Sequence, residues 1–212
     1  MQHNRLKKLV GASFSLLTTD NHIKGQLFEV LEEWNRFLKR KVHLVACGGT
    51  AMTLLGVKES TKDVDFMVPD LKEHTYLTGI LKDLEYERVT QAGWQRPGEM
   101  FQFDLFCGNC IHTTELLESP LGEGRHALLK GYSRLYIGIL NDYDLIVSKL
   151  MRGSGVDFAD CLMLAEAHIG TLDIDRLVKH YNEMILYDVA EERLKPNISY
   201  FVELLREKKL YE

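Results

Sequence analysis

The sequence predicts a mixed α/β protein, with strands and helices interspersed in its first two thirds and helices alone in its last third. Three apolar stretches of strand character, residues 42–47, 63–68 and 101–107, lie in the first part. From residue 141 onward, apolar residues recur mainly at helical spacing. This order predicts an α/β core with an N-terminal helix at residues 1–140, and a helical part at residues 141–212 that packs on it.

The first elements are predicted from hydrophobic spacing. Five apolar side chains of residues 23–39 share one helical face: Leu27, Val30, Leu31, Trp34 and Leu38. The apolar run 42–47 follows and predicts a buried strand. Residues 51–56 predict a short helix that Gly56 ends, because glycine readily adopts the left-handed conformation found after helix C-termini.

Capping residues and prolines set the boundaries of the later elements. The alternating strand 63–68 stops at Pro69, and Asp70 can cap the helix that follows. A polar stretch, residues 90–100, separates this helix from the next alternating strand. The remaining predictions are paired strands within 126–140 and helices at 141–153, 156–170, 173–186 and, after Pro196, 198–210.

Composition and charge narrow the class of protein. The 212 residues are 45% hydrophobic, which is enough to bury a core. The sequence contains no run of 18 apolar residues and no secretory signal pattern, so it predicts a cytoplasmic protein that does not span a membrane. The net charge of −5 argues against a protein whose main role is to bind bare nucleic acid. Residues 1–41 carry a local positive excess, which fits a solvated helix face at least as well as a nucleic-acid patch.

The four cysteines do not show the spacing of a disulfide-stapled scaffold. They are Cys47, Cys107, Cys110 and Cys161. Cys107 and Cys110, with His112 nearby, could form half of a zinc site, but a single Cys-x-x-Cys pair is a weak signal. The alternative interpretation is a turn at the end of a strand with two reduced thiols.

Acidic residues inside apolar strands are the strongest functional signal. Asp63 and Asp65 lie two residues apart, so in a strand they project from the same face. Two like charges held this close repel unless a cation lies between them, and carboxylates are ligands that Mg²⁺ prefers. Asp104 occupies a similar strand. The three acids could hold two Mg²⁺ or Mn²⁺ ions, and such a pair favours phosphoryl or nucleotidyl transfer.

A glycine pair precedes these acids. Gly48 and Gly49 follow the first buried strand, and 13 residues separate Gly49 from Asp63. Glycine lets backbone N–H groups approach a phosphate closely, and the positive end of the helix that starts near Thr50 favours an anion there. Thr50 can add a hydroxyl. A Gly-Gly turn alone is commonplace, but its combination with Asp-x-Asp at this interval is more informative.

Residues 47–68 resemble the nucleotidyltransferase signature of the polymerase-β type. In that signature a hydrophobic residue and Gly-Gly or Gly-Ser precede Asp-hydrophobic-Asp, and Asp104 matches the third acid of the pattern. The Gly-Gly-Thr-Ala form is similar to the group that contains AbiE-type nucleotidyltransferase toxins and their uncharacterised relatives. The resemblance implies a minimal nucleotidyltransferase core, in which helices flank a mixed sheet.

A second block, residues 141–164, is similar to the Asp-Leu-Ile-x-x-Lys-Leu segment and the following helix of that group. The resemblance implies that Lys149 contacts nucleotide phosphates and that Asp160 is the later catalytic acid, with Asp157 as a competing candidate. Arg152 either orients a phosphate or only pairs with Asp157. Judged without the resemblance, Lys149 fits a solvated lysine, and the two acids fit ordinary helix-start residues.

The sequence therefore predicts a Mg²⁺-dependent nucleotidyltransferase that moves a nucleoside monophosphate from an NTP, such as ATP, to an acceptor hydroxyl. The resemblance implies that the acceptor is a tRNA end or a protein side chain, and that the protein is a toxin with an antitoxin partner. The residues themselves do not select the acceptor. One alternative is a non-catalytic nucleotide- or partner-binding module, against which the retention of all three acids counts. A metal-dependent phosphohydrolase is disfavoured because no His-Asp pairing has suitable spacing.

Overall fold

A computed structural model describes residues 23–59 and 63–212. Helix α1 occupies residues 23–37 of this part. Residues 1–41 carry an excess of positive charge, for which a solvated helix face or a nucleic-acid patch was predicted. Residues 1–22 of this segment lie outside the described residues. Among the described helices, none combines the length and apolar character needed to span a bilayer.

A mixed sheet forms the centre of the fold, as predicted. Its strands are β1 (Val42–Ala46), β2 (Asp63–Val68), β3 (Glu87–Arg88), β4 (Gly93–Gln95), β5 (Gln102–Cys107), β8 (His126–Gly131) and β9 (Leu135–Leu140). They are arranged in the order β3-β4-β5-β2-β1-β9-β8. A separate small hairpin consists of β6 (Cys110–Ile111) and β7 (Thr114–Glu115).

Helices flank this sheet, and four of them follow it in sequence. They are α2 (Gly48–Leu54), α3 (Leu71–Asp83), α4 (Asp142–Arg152), α5 (Gly155–Ala167), α6 (Ile174–Ile185) and α7 (Glu191–Glu207). As predicted, Asp70 caps α3, where its carboxylate accepts hydrogen bonds from the N–H groups of Lys72 and Glu73. Asn141 caps α4. The division into two parts at residue 140 stays a prediction.

The directions of β1, β2 and β5 bring the predicted site residues of these strands together. β1 pairs with β2 in antiparallel orientation, so the end of β1 lies beside the start of β2. β5 runs parallel to β2, with Asp65 directly opposite Asp104. The turn after β1 and the acidic residues of β2 and β5 therefore occupy one end of the sheet.

Helix α4 lies among the other helices and contacts strand β7 of the small hairpin. It contacts α2, α5, α6 and α7, and residues 144–151 are all buried. On the other part of the sheet, Trp34 of α1 packs against the rings of Phe103 and Tyr86, at centroid distances of 4.6 and 5.7 Å. Because α4 is enclosed on several sides, any charged side chain in its middle must find a partner inside the protein.

Two predicted boundaries were wrong. The polar stretch 90–100 contains strand β4, in which Trp94 is buried; three residues are too few to show an alternating pattern. Helix α7 begins at Glu191, before Pro196, rather than after it. Proline removes only one backbone donor, and a buried stripe continues through it: Leu194, Ile198, Phe201 and Leu205.

Candidate active site

Two of the three predicted acids face each other across neighbouring strands. Asp65 of β2 and Asp104 of β5 are paired in register, so their side chains project from the same face of the sheet. Asp65 is 9% exposed, Asp104 is half-buried and Asp63 is exposed at the start of β2. Burial, together with the negative charges of Asp104 and Asp63, raises the pKa of Asp65 to about 7. The structure thus concentrates negative charge that nearby cations do not fully compensate.

These carboxylates suit a divalent cation that arrives with other ligands. Within residues 23–59 and 63–212, no group of three or more His, Cys, Asp or Glu side chains is arranged to hold a metal ion by itself. The mutual repulsion of Asp65 and Asp104 is nevertheless the kind that a bound cation relieves. Mg²⁺ commonly takes one or two carboxylates and completes its coordination with water and phosphate oxygens. The donor set therefore fits Mg²⁺ bound together with a nucleotide.

The Gly-Gly-Thr turn fixes the position of the β2 acids. Gly48 has φ +56°, and a Cβ atom added there would lie 2.6 Å from Oδ2 of Asp65. The Thr50 hydroxyl accepts a hydrogen bond from the Asp65 N–H at 2.8 Å and donates to the Asp63 carbonyl oxygen at 3.2 Å. Helix α2 begins at Gly48 itself, so both glycines belong to its first turn. The Thr50 hydroxyl, proposed from the sequence as a phosphate contact, ties α2 to β2.

The close approach at Gly48 leads to a testable expectation. Gly48→Ala is expected to lower the free energy of unfolding by at least about 1–2 kcal/mol, the usual cost of a left-handed conformation for a residue with a Cβ atom, because the added methyl also collides with Asp65. Urea denaturation measures this loss. Gly79→Ala is the matched control, since Gly79 lies in α3 with no atom within 4 Å of an added Cβ. Equal stability of the two variants would contradict the account.

The predicted phosphate-contacting lysine is buried in an ion-pair network. Lys149 is 2% exposed, and its Nζ donates to Oδ2 of Asp160 at 2.7 Å. Lys58, from the loop after α2, donates to Oδ1 of the same carboxylate at 3.0 Å. Its side chain is 30% exposed. Asp160 therefore holds two ammonium groups, and Lys58 is the more accessible of them.

A second pair occupies the junction of α4 and α5. Nη2 of Arg152 donates to Oδ1 of Asp157 at 2.5 Å, and Ser154 and Asp157 form a capping box at the start of α5. Burial alone would raise the pKa of Asp157, but hydrogen bonds from Ser154 and the Arg152 guanidinium outweigh it and hold this pKa below its usual value. Nη1 of Arg152 is buried and has no hydrogen-bond partner among the described residues. The hydrogen-bonding capacity of this nitrogen is thus unused within the described residues.

Comparison with protein families decides what kind of enzyme contains this arrangement. A family described as nucleotidyltransferase of unknown function (DUF6036) matches residues 25–203. The chain belongs to this nucleotidyltransferase family. The match includes the turn, the acids and the network around Asp160, and it confirms that the sequence resembles nucleotidyltransferases. A search of curated proteins finds no match.

Solved structures that are similar to this nucleotidyltransferase have low sequence identity to it. The solution structure of the antibiotic-resistance factor ANT(2'')-Ia has 13% identity and a TM-score of 0.52, and the match covers 83% of this chain and 96% of that chain. JHP933 from Helicobacter pylori has 15% identity and a TM-score of 0.44, over 78% and 84% of the two chains. An antigenic nucleotidyltransferase-like protein from Paracoccidioides brasiliensis has 12% identity and a TM-score of 0.42, over 85% and 92%. The first of these likenesses supports the fold alone.

The structure adds residues to the nucleotidyltransferase site that the sequence did not reveal. Lys58 lies 102 positions from its partner Asp160, and no pattern around it indicates this contact. Gly93 pairs with Asp104, and a Cβ atom there would lie 2.8 Å from Oδ1 of Asp104. Gln102 donates to that same oxygen at 3.3 Å. A glycine inside the segment 90–100 was the available signal for close backbone approach, but it was interpreted as part of a connecting stretch.

The cysteine pair lies next to this site. β5 ends at Cys107 and β6 begins at Cys110, so the two residues flank a two-residue turn, and both thiols are free. They form no metal-binding group with His112 among the described residues. The ring of His112 packs edge-on against Phe106 at a centroid distance of 4.6 Å. The described geometry therefore gives no support to a zinc site in this nucleotidyltransferase.

Proposed function

We propose that the protein is a Mg²⁺-dependent enzyme that transfers a nucleoside monophosphate from an NTP to an acceptor hydroxyl. The observation that carries the proposal is the pair of opposed carboxylates, Asp65 and Asp104, beside the Gly48 turn. Two like charges placed close together in a partly buried site lower the stability of the fold. Such a pair therefore indicates a functional site. Membership in a nucleotidyltransferase family supports the same reaction class.

In this proposal the three acids have two different roles in the reaction. Asp63 and Asp65 hold the metal, which stabilises negative charge on the triphosphate. Asp104 positions the acceptor hydroxyl and accepts its proton. The acceptor oxygen bonds to the α-phosphorus while the bond from that phosphorus to the bridging oxygen breaks, and pyrophosphate leaves. Mn²⁺ has similar ligand preferences and can replace Mg²⁺.

The phosphates are held by groups of α2 and α4 that lie near the acids. The backbone N–H groups of Gly48 and Gly49 point out of the first turn of α2, and Thr50 keeps that turn attached to β2. Arg152 offers its unpartnered Nη1. Lys149 supplies positive charge, and Asp160 positions the Lys149 ammonium group by accepting its hydrogen bond. Thr50 and Asp160 therefore act here through the groups that they hold, rather than through direct contact with the nucleotide. Lys58 provides a second ammonium group held by Asp160.

The acceptor and the biological role rest on the resemblance stated for the sequence. It favours a tRNA end or a protein side chain as acceptor, and a toxin that an antitoxin protein neutralises. A non-catalytic binding module is the competing proposal. The raised pKa of Asp65 counts against such a module, because a site without catalytic duty has no need to retain a destabilising acid.

A labelling assay tests the proposed function. The protein is incubated with each α-³²P-labelled NTP, Mg²⁺ and a cell extract that contains RNA and protein. Catalysis would be supported if the wild type transferred label and Asp65→Ala did not. Asp83→Ala is the control and should retain transfer, because Asp83 is an exposed residue at the end of α3. Binding of NTPs without transfer to any acceptor would instead support the module.

A further inference from the structure

A cleft of about 560 Å³ has Asp104 in its lining, whereas Gly48 is not part of that lining. Its walls come from the β3–β4 connection, the end of β5 and the hairpin that follows β5. Asp104 is the one of the three acids that lines it, and a cleft of this size accommodates a small organic molecule. A larger cleft of about 720 Å³ lies between β8 and α4, but it contains none of the three acids.

Asp104 is presented to this cleft by its neighbours. Gly93 has no side chain, so Oδ1 of Asp104 is not covered from β4. The amide of Gln102 donates to Oδ1 at 3.3 Å, which leaves Oδ2 for another donor. An acceptor hydroxyl in the cleft would reach this carboxylate without contacting Gly48. Nucleotidyl transfer needs separate positions for the attacking and leaving oxygens, and the cleft provides a position for the attacking one.

The chemistry of the cleft does not suit a polyanion. Of its described lining residues, Arg88 alone is lysine or arginine, and its Nε already donates to the carbonyl oxygens of Thr90 and Gln91. The two lysines of the site are also engaged, since Lys58 and Lys149 share Asp160. The charge of Arg152 is paired with Asp157. Binding of RNA depends on several cations that neutralise phosphates. The described residues of this cleft do not provide them.

Apolar and weakly polar groups make up much of the remaining lining. Leu105 and Phe106 contribute apolar surface, and His112 adds an imidazole ring that packs on Phe106. Burial and the positive charge of Arg152 lower the pKa of His112, while Asp104 acts in the opposite direction. The ring of His112 thus lines the cleft in its neutral form, within range of both charges. It can form a hydrogen bond or stack against an uncharged ligand.

We propose that this cleft binds the acceptor, and that the acceptor is a small hydroxyl compound that is not a polyanion. The inference rests on the proposed function, because it places the acceptor against Asp104. It differs from the tRNA or protein acceptor that the sequence resemblance implies. The bond changes are those given above: the acceptor oxygen gains the nucleotidyl group, pyrophosphate leaves, and Asp104 accepts the proton.

The acceptor class is tested by fractionating the extract. RNA, protein and a small-molecule ultrafiltrate are incubated separately with the enzyme, Mg²⁺ and α-³²P-labelled NTPs. Label that enters a small product only in the ultrafiltrate, and that requires Asp65, is the expected result. Label in RNA or in protein would support the proposed function and overturn this inference. Label in none of the three fractions would count against the proposed function and remove the inference with it.

The location is tested through the two thiols in the cleft wall. Cys107 and Cys110 line the cleft, whereas Cys47 and Cys161 have no exposed surface. N-ethylmaleimide should therefore modify the first pair, at mildly alkaline pH because burial raises the pKa of both thiols. Transfer is expected to fall at least tenfold, while binding of labelled NTP with Mg²⁺, measured by equilibrium dialysis, changes less than twofold.

A matched variant shows whether modification acts through the cleft. The transfer rate of Cys107→Ser/Cys110→Ser, whatever its level, is expected to stay constant on treatment with the reagent. His112→Ala provides a second readout without chemical modification: transfer should fall and NTP binding should remain. Unchanged transfer by the modified wild type, or an equal loss of NTP binding and transfer, would overturn the location.

Discussion

Asp65→Asn is expected to abolish nucleotidyl transfer and, at the same time, to stabilise the metal-free protein. The substitution removes a proposed metal ligand, and a loss of about a hundredfold to a thousandfold is the scale expected for a group that stabilises transition-state charge. The gain in stability has a different origin. The pKa of Asp65 rises from 3.8 to about 7 on folding, so the ionised carboxylate is less favourable in the folded state than in the unfolded chain.

The sign of this effect sets its pH dependence. Between about pH 4 and pH 7 the folded protein binds more protons than the unfolded chain at this site, so the wild type loses stability as the pH rises. A shift of roughly three units corresponds to about 4 kcal/mol above pH 7. Asparagine cannot ionise, and it keeps a similar shape. The variant should therefore exceed the wild type in stability at pH 8, and by much less at pH 5.

Urea denaturation in EDTA at the two pH values measures the difference. Asp83→Asn is the control, because Asp83 is exposed and should respond little at either pH. If Asp65→Asn gained nothing at pH 8 relative to pH 5, the carboxylate would not be strained by burial and by its acidic neighbours. Loss of transfer together with a gain in stability would identify Asp65 as a residue kept for function.

Asp160→Ala is expected to cause the largest loss of stability. The variant leaves the Lys149 ammonium buried at 2% exposure without its carboxylate, while Lys58 can turn toward solvent. Breaking a buried ion pair by removing one partner typically costs about 3–5 kcal/mol. Helix α4 is surrounded by α2, α5, α6, α7 and the small hairpin, so the Lys149 ammonium would stay buried.

A control and a rescue variant distinguish this cause from a general weakening of α5. Glu166→Ala, on the same helix, removes an exposed pair with Lys208 and should cost less than about 1 kcal/mol. Asp160→Ala/Lys149→Met should recover much of the lost stability, because methionine places no charge in the core. Equal losses in Asp160→Ala and Glu166→Ala, measured by urea denaturation at pH 7, would show that the buried pair is not the source of the effect.

Local sequence signals predicted most elements, because their causes are local. Asp70 and Asn141 cap helices through hydrogen bonds to residues two or three positions away, and such spacing is visible in a sequence. The alternation in 63–68 likewise placed Asp63 and Asp65 on one face. The sequence could not show that Asp65 is opposite Asp104, because strand register depends on pairing between distant segments.

The unpredicted parts of the site depend on long-range contacts. Lys58 contacts Asp160 from a loop that carries no motif. The need for glycine at position 93 is visible only in the structure, where the Asp104 carboxylate leaves no room for a Cβ atom. The burial of Lys149 follows from the enclosure of α4, whereas its sequence fits an exposed lysine equally well. Helical spacing and capping rules describe neighbours along the chain, and these contacts join residues that folding alone brings together.

The most direct test of the account compares the fate of the α- and γ-phosphorus atoms of the nucleotide. The protein is incubated with Mg²⁺, the acceptor-containing fraction and the same NTP labelled with ³²P at one position or the other. The account predicts that the acceptor gains label from the α position, and that label from the γ position leaves as pyrophosphate. Nucleotidyl transfer would be contradicted if label from the γ position reached the acceptor. It would also be contradicted if the enzyme released the γ-phosphate directly as inorganic phosphate.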